Sequence, residues 1–302
     1  MKEGRIYNLR RKCQALAYGI LSKERISKIY FSHVLGYKLN LDDPKTFNEK
    51  LQWLKLYEWP NNDIAIQCGD KYTVREYVEK KGCGEYLNEL LYVWDSVDEI
   101  DWDSLPQQFA LKCTHGCRYN IICSDKDKLN IDEAKKKLKR WMKEDFGKFN
   151  AEPHYSKMKP RIVCDKFLGS DIVNYNIFCV NGKPELISVI QGLSAGKDET
   201  LTYYYADGTI APFKSAAYPI SSESLPECIE TMKNVATKLA EDVPFVRVDF
   251  YYVDGKILLS EMTFTPGRAT IPFSPITYDK VLGDKLDISS LVKDKSKAEK
   301  NL

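Results

Sequence analysis

The chain has 302 residues, 43% of them apolar and 29% charged, enough for one large or two modest globular domains with real cores. Its 45 basic and 43 acidic residues leave a formal net charge of +2, which argues against a nucleic-acid polyanion as the main partner. Nine cysteines without scaffold-like spacing, no basic-then-apolar leader and no run approaching the roughly 20 apolar residues of a membrane span favour a cytoplasmic location and free thiols.

Residues 1–30 are basic (Lys2, Arg5, Arg10, Arg11, Lys12, Lys23, Arg25, Lys28) and carry Leu16, Ile20, Leu21 and Ile26. They read as a helix packed on the main domain. A helix lying on an anionic membrane surface, at the inner face of the membrane, is the alternative. Residues 1–45 form this N-terminal helical segment. Thr46-Phe47-Asn48-Glu49 is a capping box that starts a helix through about Tyr57, stopped by Trp59-Pro60. Asp70 caps a second helix, with Val74, Tyr77 and Val78 inward and Gly82 past its end. Phe109 to Lys112 and Asn120 to Cys123 read as strands around a tight loop, Thr114 to Tyr119. Asn130 with Glu133 opens a helix carrying Ile131, Ala134, Leu138, Trp141 and Met142 at helical spacing.

Ile162 to Phe167 reads as a strand. Val173 to Val180 and Glu185 to Ile190 form a hairpin about Asn181-Gly182, and Tyr203 to Ile210 forms another about Asp207-Gly208. Ser224 opens a helix with Ile229, Met232, Val235, Ala236 and Leu239 inward. Lys293 to Lys300 reads as a frayed tail, and 291–302 lies outside the main domain. The order predicts an α+β fold with mostly antiparallel sheet. A Rossmann fold is a poor fit, because regular βαβ alternation and G-x-G-x-x-G are absent.

The chemistry concentrates in Val246-Arg247-Val248-Asp249-Phe250-Tyr251 and Leu259-Ser260-Glu261-Met262-Thr263-Phe264-Thr265-Pro266-Gly267. Two acids on neighbouring strands suit a Mg²⁺ ion at nucleotide phosphates, where one or two carboxylates suffice. Arg247 adds a fixed fork for phosphoryl oxygens. Parity tests the idea. A strict two-residue turn at Asp254-Gly255 puts Asp249 opposite Ser260 and turns Glu261 to the other face. Asp249, Glu261 and Thr263 share a face only if the loop is odd or a strand is bulged. The pattern alone leaves open a half-buried hairpin with solvated acids.

Other patterns carry less. Lys112 and the loop Thr114-His115-Gly116 could cover phosphates or be an ordinary hairpin loop. Cys113, His115, Cys117 and Cys123 lack the second paired element of a zinc site. Asp101-Trp102-Asp103 is a D-x-D, the pattern many nucleotide-sugar glycosyltransferases use, but it sits in a charged connection that reads as a solvated loop. His33, His115 and His154 belong to no discernible triad, and Gly-x-Ser-x-Gly is absent.

With these residues assembled, the chain resembles the ATP-grasp superfamily, and within it the TupA-like ATP-grasp proteins of polysaccharide gene clusters, often labelled glycosyltransferases. The likeness runs from about Tyr37 to Pro275. It rests on Gly36 to Leu41, Pro44 to Lys55, Asp70-Lys71-Tyr72-x-Val74-Arg75, Val246 to Tyr251 and Glu261-x-Thr263-x-Thr265-Pro266-Gly267. It implies ATP between two α+β lobes within residues 46–290, a small lobe of about 105–165 and a C-terminal lobe of about 166–290. Lys71 and Lys112 would hold phosphates, with Thr114, His115, Gly116 and the loop to Arg118 closing over them. Asp165, Lys166 and Phe167 would line the adenine pocket. Asp249, Glu261 and Thr263 would hold Mg²⁺, Arg247 would face the transferred phosphoryl group, and the N–H groups near Gly267 would face the acyl intermediate.

The resemblance implies an ADP-forming ligase that joins a uronic-acid carboxylate of a cell-surface polysaccharide, or its lipid-linked precursor, to an amino acid or related amine. A glycosyltransferase and a catalytically inactive binding module are the alternatives. Three elements of the family pattern differ. Thr263 replaces Asn, Asn174-Tyr175-Asn176 replaces Asp-Tyr-Lys, and Arg118 stands where the loop usually has its second Gly.

Overall fold

The computed structural model describes residues 5–192 and 199–300. Two helices come first, α1 (Arg5–Ile20) and α2 (Lys23–Leu35). Arg11 of α1 donates to the Tyr119 hydroxyl at 3.0 Å, pairs with Glu144 and lies over the Phe149 ring at 4.4 Å. The basic N-terminus is thus anchored on the main domain, while Leu16, Ile20 and Ile29 stay exposed.

The capping box forms, with Glu49 accepting from the Thr46 N–H and Thr46 from the Glu49 N–H. It opens α3 (Phe47–Trp53), which continues as a π-helical turn, Leu54–Glu58. Helix α4 (Asp63–Gly69) was not marked in the sequence. Asp70 does not cap a helix directly. It accepts from the Tyr72 and Thr73 N–H groups and shapes the turn before α5 (Val74–Lys80), whose Val74, Tyr77 and Val78 are buried.

A four-stranded antiparallel sheet follows, built from β1 (Leu90–Trp94), β2 (Phe109–Cys113), β3 (Asn120–Cys123) and, after α6 (Ile131–Trp141), β4 (Ile162–Lys166). The spatial order is β1-β4-β2-β3. One face packs Phe109, Leu111, Cys113, Ile162 and Cys164 with Leu138 and Trp141 of α6. Alternation leaves Ala110, Lys112, Val163 and Asp165 on the other face. The sheet begins with β1 at Leu90, ahead of the expected boundary near 105.

The second sheet takes β5 (Asn174–Val180), β6 (Lys183–Gln191) and β7 (Thr200–Tyr205); then come β8 (Lys214–Ser215), α7 (Ile229–Ala240), β9 (Phe245–Val253), β10 (Lys256–Thr263), β11 (Phe273–Ser274), α8 (Thr277–Lys285) and α9 (Ser289–Lys300). Its order is β10-β9-β5-β6-β7, all antiparallel, and β8 pairs with β11 apart from it. The Asn181-Gly182 turn has positive φ at both residues, as a tight hairpin needs. The hairpin about Asp207-Gly208 forms, with Tyr204 bridged antiparallel to Ile210 and the Tyr205 N–H donating to the Thr209 carbonyl at 2.8 Å. Two expectations are corrected. Helix α7 starts at Ile229 rather than Ser224. The expected frayed tail is the helix α9.

Helices α3, α5, α7 and α8 share one core with the five-stranded sheet, and the small sheet has its own. The helices α3 and α8 lock at Gly283, where a Cβ would sit 2.4 Å from the Lys45 carbonyl oxygen and 2.6 Å from the Phe47 nitrogen. Beside it Asp279 accepts from the Asn48 N–H at 2.8 Å. Gly283→Ala should therefore cost about 1–3 kcal/mol of stability, read as a lower urea midpoint at unchanged slope. An unchanged midpoint would show that this crossing can relax.

Candidate active site

The Asp254-Gly255 turn is the strict two-residue kind, with Val253 opposite Lys256. The three-residue loop does not form. Parity is restored by a bulge at Ser260 instead, so that Glu261 lies opposite Asp249. The register continues across the sheet, pairing Asp249 with Asn176, Asn176 with Ser188, and Ser188 with Tyr203. Directly opposed residues share a face. Glu261, Asp249, Asn176, Ser188 and Tyr203 therefore form one polar row across five strands.

Arg247 lies two residues before Asp249 on the same face. Its Nε donates to Asp249 Oδ1 at 2.7 Å, its Nη2 binds Asp249 Oδ2, and Nη2 also reaches Thr263 Oγ1 at 3.2 Å. Thr263 Oγ1 stands 3.1 Å from Glu261 Oε1 and 3.3 Å from Asp249 Oδ2. Burial, with Glu261 adding to it, pushes the Asp249 carboxyl up to about 6 despite the arginine. Burial also raises Glu261, but Lys71, Arg247 and Lys112 outweigh it and hold that group below its usual value. The difference fits their exposure, since Asp249 keeps 4% of its side chain exposed and Glu261, on the cleft wall, 36%. Asn176 Oδ1 is buried with no hydrogen-bond partner.

The opposite wall comes from the small sheet. Lys112 Nζ pairs with Asp165 at 2.9 Å. Burial opposes its charge, yet Asp165, Tyr251 and Glu261 hold its pKa above the ordinary value. Lys71 Nζ donates to the Gly116 carbonyl at 2.7 Å and its charge acts on Glu261. Lys71, Lys112 and Arg247 thus meet Asp165, Asp249 and Glu261 in one cleft.

Several expected contacts are occupied differently. The Thr114 hydroxyl accepts from the Arg161 N–H at 3.3 Å, and Thr114 is fully buried. His115 packs inward, with Nε2 3.1 Å from the Trp141 carbonyl, so its ring does not face the cleft. Gly116 is required by packing, because a Cβ there would lie 2.7 Å from Tyr119 and 2.8 Å from Phe146. Lys166 points to solvent and pairs with Glu89 at 3.1 Å; its backbone N–H donates to the Glu89 carbonyl. Phe167 is half-buried just past β4. Asp101 and Asp103 are exposed, and Asp101 accepts from the Asp103 N–H, away from the cleft groups.

The Pro266-Gly267 turn has φ of 57°, 62° and 58° at Gly267, Arg268 and Ala269, three left-handed residues in succession. It is braced by a group the sequence did not flag. Thr265 Oγ1 donates to Glu152 at 2.5 Å, Glu152 is 3% exposed, and Lys55, 1% exposed, acts on it electrostatically. Burial pulls the Lys55 amine down to about 8 and pushes the Glu152 carboxyl up, while His154 beside them falls to about 3. All nine cysteines are free. Among the described residues, no group of three or more His, Cys, Asp or Glu is placed to hold a metal.

Residues 49–287 match the model of one family, TupA-like ATPgrasp. The chain belongs to this family. The match starts later and ends later than the likeness read from motifs, which ran from 37 to 275. No curated protein matches. Among solved structures, the L-amino acid ligase from Bacillus licheniformis shares 13% identity at a TM-score of 0.43 over 68% of this chain. The D-alanine–D-alanine ligase from Bacillus anthracis complexed with ATP shares 17% at 0.43, over 77% of this chain and 68% of its own. D-alanyl-alanine synthetase A from Vibrio cholerae shares 12% at 0.44, over 77% of this chain and 65% of its own. The chain spans 45% of the first of these. Among the described residues, no helix is long and apolar enough to cross a membrane.

Within this TupA-like cleft, removing Arg247 would leave two neighbouring carboxylates without their nearest cation. Arg247→Met should cost about 3 kcal/mol at pH 8, the scale of a broken buried ion pair. The Asp249 pKa, already raised in the folded state, would rise further. Its contribution is favourable at low pH and lost as pH rises through the folded value near 6. The deficit should therefore shrink at pH 5. Urea denaturation at both pH values tests this, and an equal deficit at both would refute the coupling.

Proposed function

We propose that the protein is an ADP-forming carboxylate–amine ligase that uses ATP with Mg²⁺. The observation that carries this reading is the convergence of Asp249, Glu261 and Arg247 with Lys71 and Lys112 in one cleft, within an ATP-grasp family chain.

The residues present fit a Mg²⁺ ion. Asp249 and Glu261 each place a hard oxygen within 3.3 Å of the Thr263 hydroxyl, which is a third. The unpartnered Asn176 oxygen is a further neutral donor in the same row. Burial first, and Glu261 after it, raise the Asp249 pKa, and a cation there would offset both. Bound, the ion would neutralise charge on phosphoryl oxygens. Lys71 and Lys112 would serve as point charges for the phosphates. Arg247 would present its fork to the phosphoryl group in flight, and the Gly267 N–H would face the acyl oxyanion.

In the reaction, a substrate carboxylate oxygen attacks the γ-phosphorus and ADP leaves. The amine then attacks the acyl carbon. The acyl–oxygen bond breaks, phosphate leaves with the former carboxylate oxygen, and the nitrogen loses a proton. The acid is proposed to be a hexuronic acid of a polysaccharide or its lipid-linked precursor, and the amine an amino acid. Incubation with ATP, Mg²⁺, a hexuronic-acid acceptor and mixed amino acids should release ADP, phosphate and an amide. Release of AMP and pyrophosphate would exclude the acylphosphate route. Sugar transfer from a nucleotide-sugar with ATP intact would replace the ligase reading with glycosyl transfer.

Metal affinity should depend on pH. A carboxylate must lose its proton to ligate, so Mn²⁺ affinity, followed by electron paramagnetic resonance, should fall as pH drops through about 6, where Asp249 titrates. Asp249→Asn should remove that dependence, and Asn176→Leu should weaken binding. Unchanged Mn²⁺ affinity in both variants would place the ion elsewhere.

A further inference from the structure

One face of a helix grips the turn that carries Gly267 along its whole length. Asn48, Gln52, Lys55 and Trp59 stand at i, i+4, i+7 and i+11 on α3 and its continuation, the spacing of a stripe along one helical face. All four are buried. Asn48 brackets Ile271, its Nδ2 donating to the Ile271 carbonyl at 2.9 Å and its Oδ1 accepting from the Ile271 N–H at 2.6 Å. Gln52 Nε2 donates to the Arg268 carbonyl at 3.1 Å and the Ala269 carbonyl at 2.9 Å. Lys55 Nζ donates to the Asn150 carbonyl at 3.4 Å, and Glu152, two residues on, accepts from the Thr265 hydroxyl at 2.5 Å. Trp59 Nε1 donates to the Phe264 carbonyl at 3.2 Å. Helix and turn run in opposite directions, so successive turns of the helix hold the chain from 271 back to 264.

An apolar stripe would bury this face more simply, because every buried polar group needs a partner. Gln52 leaves its own Oε1 without one, so the two turn carbonyls decide where its amide sits. The stripe specifies a backbone. Arg268 and Ala269 have φ of 62° and 58°, a region that residues with a side chain hold only when their surroundings impose it. Within the turn, the Arg268 N–H donates to the Thr265 carbonyl and the Thr270 N–H to the Gly267 carbonyl. The Gly267 N–H has no acceptor among the described residues. The turn follows directly on β10, which ends in Glu261 and Thr263.

We propose that Asn48, Gln52 and Trp59, with Lys55 acting through Glu152, are positioning residues for acyl transfer, fixing the turn so that the Gly267 N–H receives the oxyanion. The inference rests on the ligase reading and adds the residues that prepare its second step. In that step the amine nitrogen bonds to the acyl carbon, and the carbonyl electron pair moves onto oxygen. The pair then returns as the bond to phosphate breaks and the nitrogen gives up a proton. A donor stabilises this oxyanion only if it is held in place beforehand. Lys71 and Lys112, on other elements, face the phosphates. Loosening the turn should therefore slow amide formation and leave nucleotide binding intact.

Gln52→Met keeps the side-chain volume and removes the amide. Hydrogen–deuterium exchange of residues 264–272 should quicken at least tenfold. Affinity for a non-hydrolysable ATP analogue with Mg²⁺ should stay at the wild-type value, which also shows that the variant is folded. With ATP, Mg²⁺, galacturonic acid and hydroxylamine, kcat for hydroxamate should fall roughly tenfold to a hundredfold, with KM for ATP unchanged. Val235→Ala on α7 loosens the same core away from the turn and should keep the wild-type kcat. Trp59→Phe, which keeps a ring against Phe264 and loses only the Nε1 donor, should repeat the Gln52→Met pattern and replaces it if that variant does not fold. Wild-type kcat in both stripe variants would overturn the inference. So would an equal loss in Val235→Ala, or a loss of ATP-analogue affinity matching the loss of kcat, since either would reduce the stripe to packing. Failure of the ligase reading would look different: the wild type would form no hydroxamate, which removes the acyl-transfer role, while the exchange difference persisted.

Discussion

Asp249 and Glu261 share a face of the large sheet because Ser260 is an extra residue on one strand, and their repulsion shapes what surrounds them. Without the bulge the acids would point to opposite faces, and Glu261 would enter the apolar core beneath the sheet. With it, two carboxylates stand side by side where little water reaches Asp249. Three cations from three separate parts of the chain converge on them: Arg247 from the same strand, Lys112 from the small sheet and Lys71 from the turn before α5. Asp165 offsets Lys112 in turn. The cleft is held as a charge-balanced assembly rather than by apolar contact. That suits a site taking a polyphosphate with its counter-ion, because added charges can replace internal pairs without exposing a bare ion.

The second constraint is mechanical. Glu152 lies in the segment between α6 and β4, Thr265 just past β10, and Lys55 in the π-helical continuation of α3. Their contacts join the segment before β4, the left-handed turn and the helical layer at one buried point. A carboxylate so deeply buried must be hydrogen-bonded, and the Thr265 hydroxyl serves that need. The turn at Gly267 to Ala269 is consequently not free to adjust by itself, although two left-handed residues other than glycine, Arg268 and Ala269, store strain there.

Elements with strong local signals were legible in the sequence. The Thr46 capping box, the Asn181-Gly182 turn and the apolar spacing of α6 depend on neighbours a few residues away. Strand β1 was not, although Leu90 to Trp94 is a continuous apolar run: Tyr92 and Val93 are exposed, so the run lacks the alternation that marks a half-buried strand. The parity argument stated what the hairpin needed but not which device would supply it, since a bulge leaves no composition mark. Lys55 and Glu152 escaped notice because a lone charged residue reads as solvated surface. Asn176 was visible only as a departure from a family pattern. Its register opposite Asp249 is a property of strand pairing across more than 70 residues of sequence.

The departures take on a different meaning once the pairing is known. Asn176 stands next to Asp249, where a lysine would add a fourth cation to a balanced cleft. An amide leaves the balance intact and contributes an oxygen. Thr263 is shorter than asparagine, yet its hydroxyl reaches both acids and Arg247. Arg118 occupies a left-handed position that glycine would fill more cheaply, and its exposed side chain stands 3.6 Å from Glu199. Each change keeps the local geometry while altering charge or reach. The acids and lysines of the cleft keep the residue types of the family pattern, so the departures change charge and reach around an unchanged set of titrating groups.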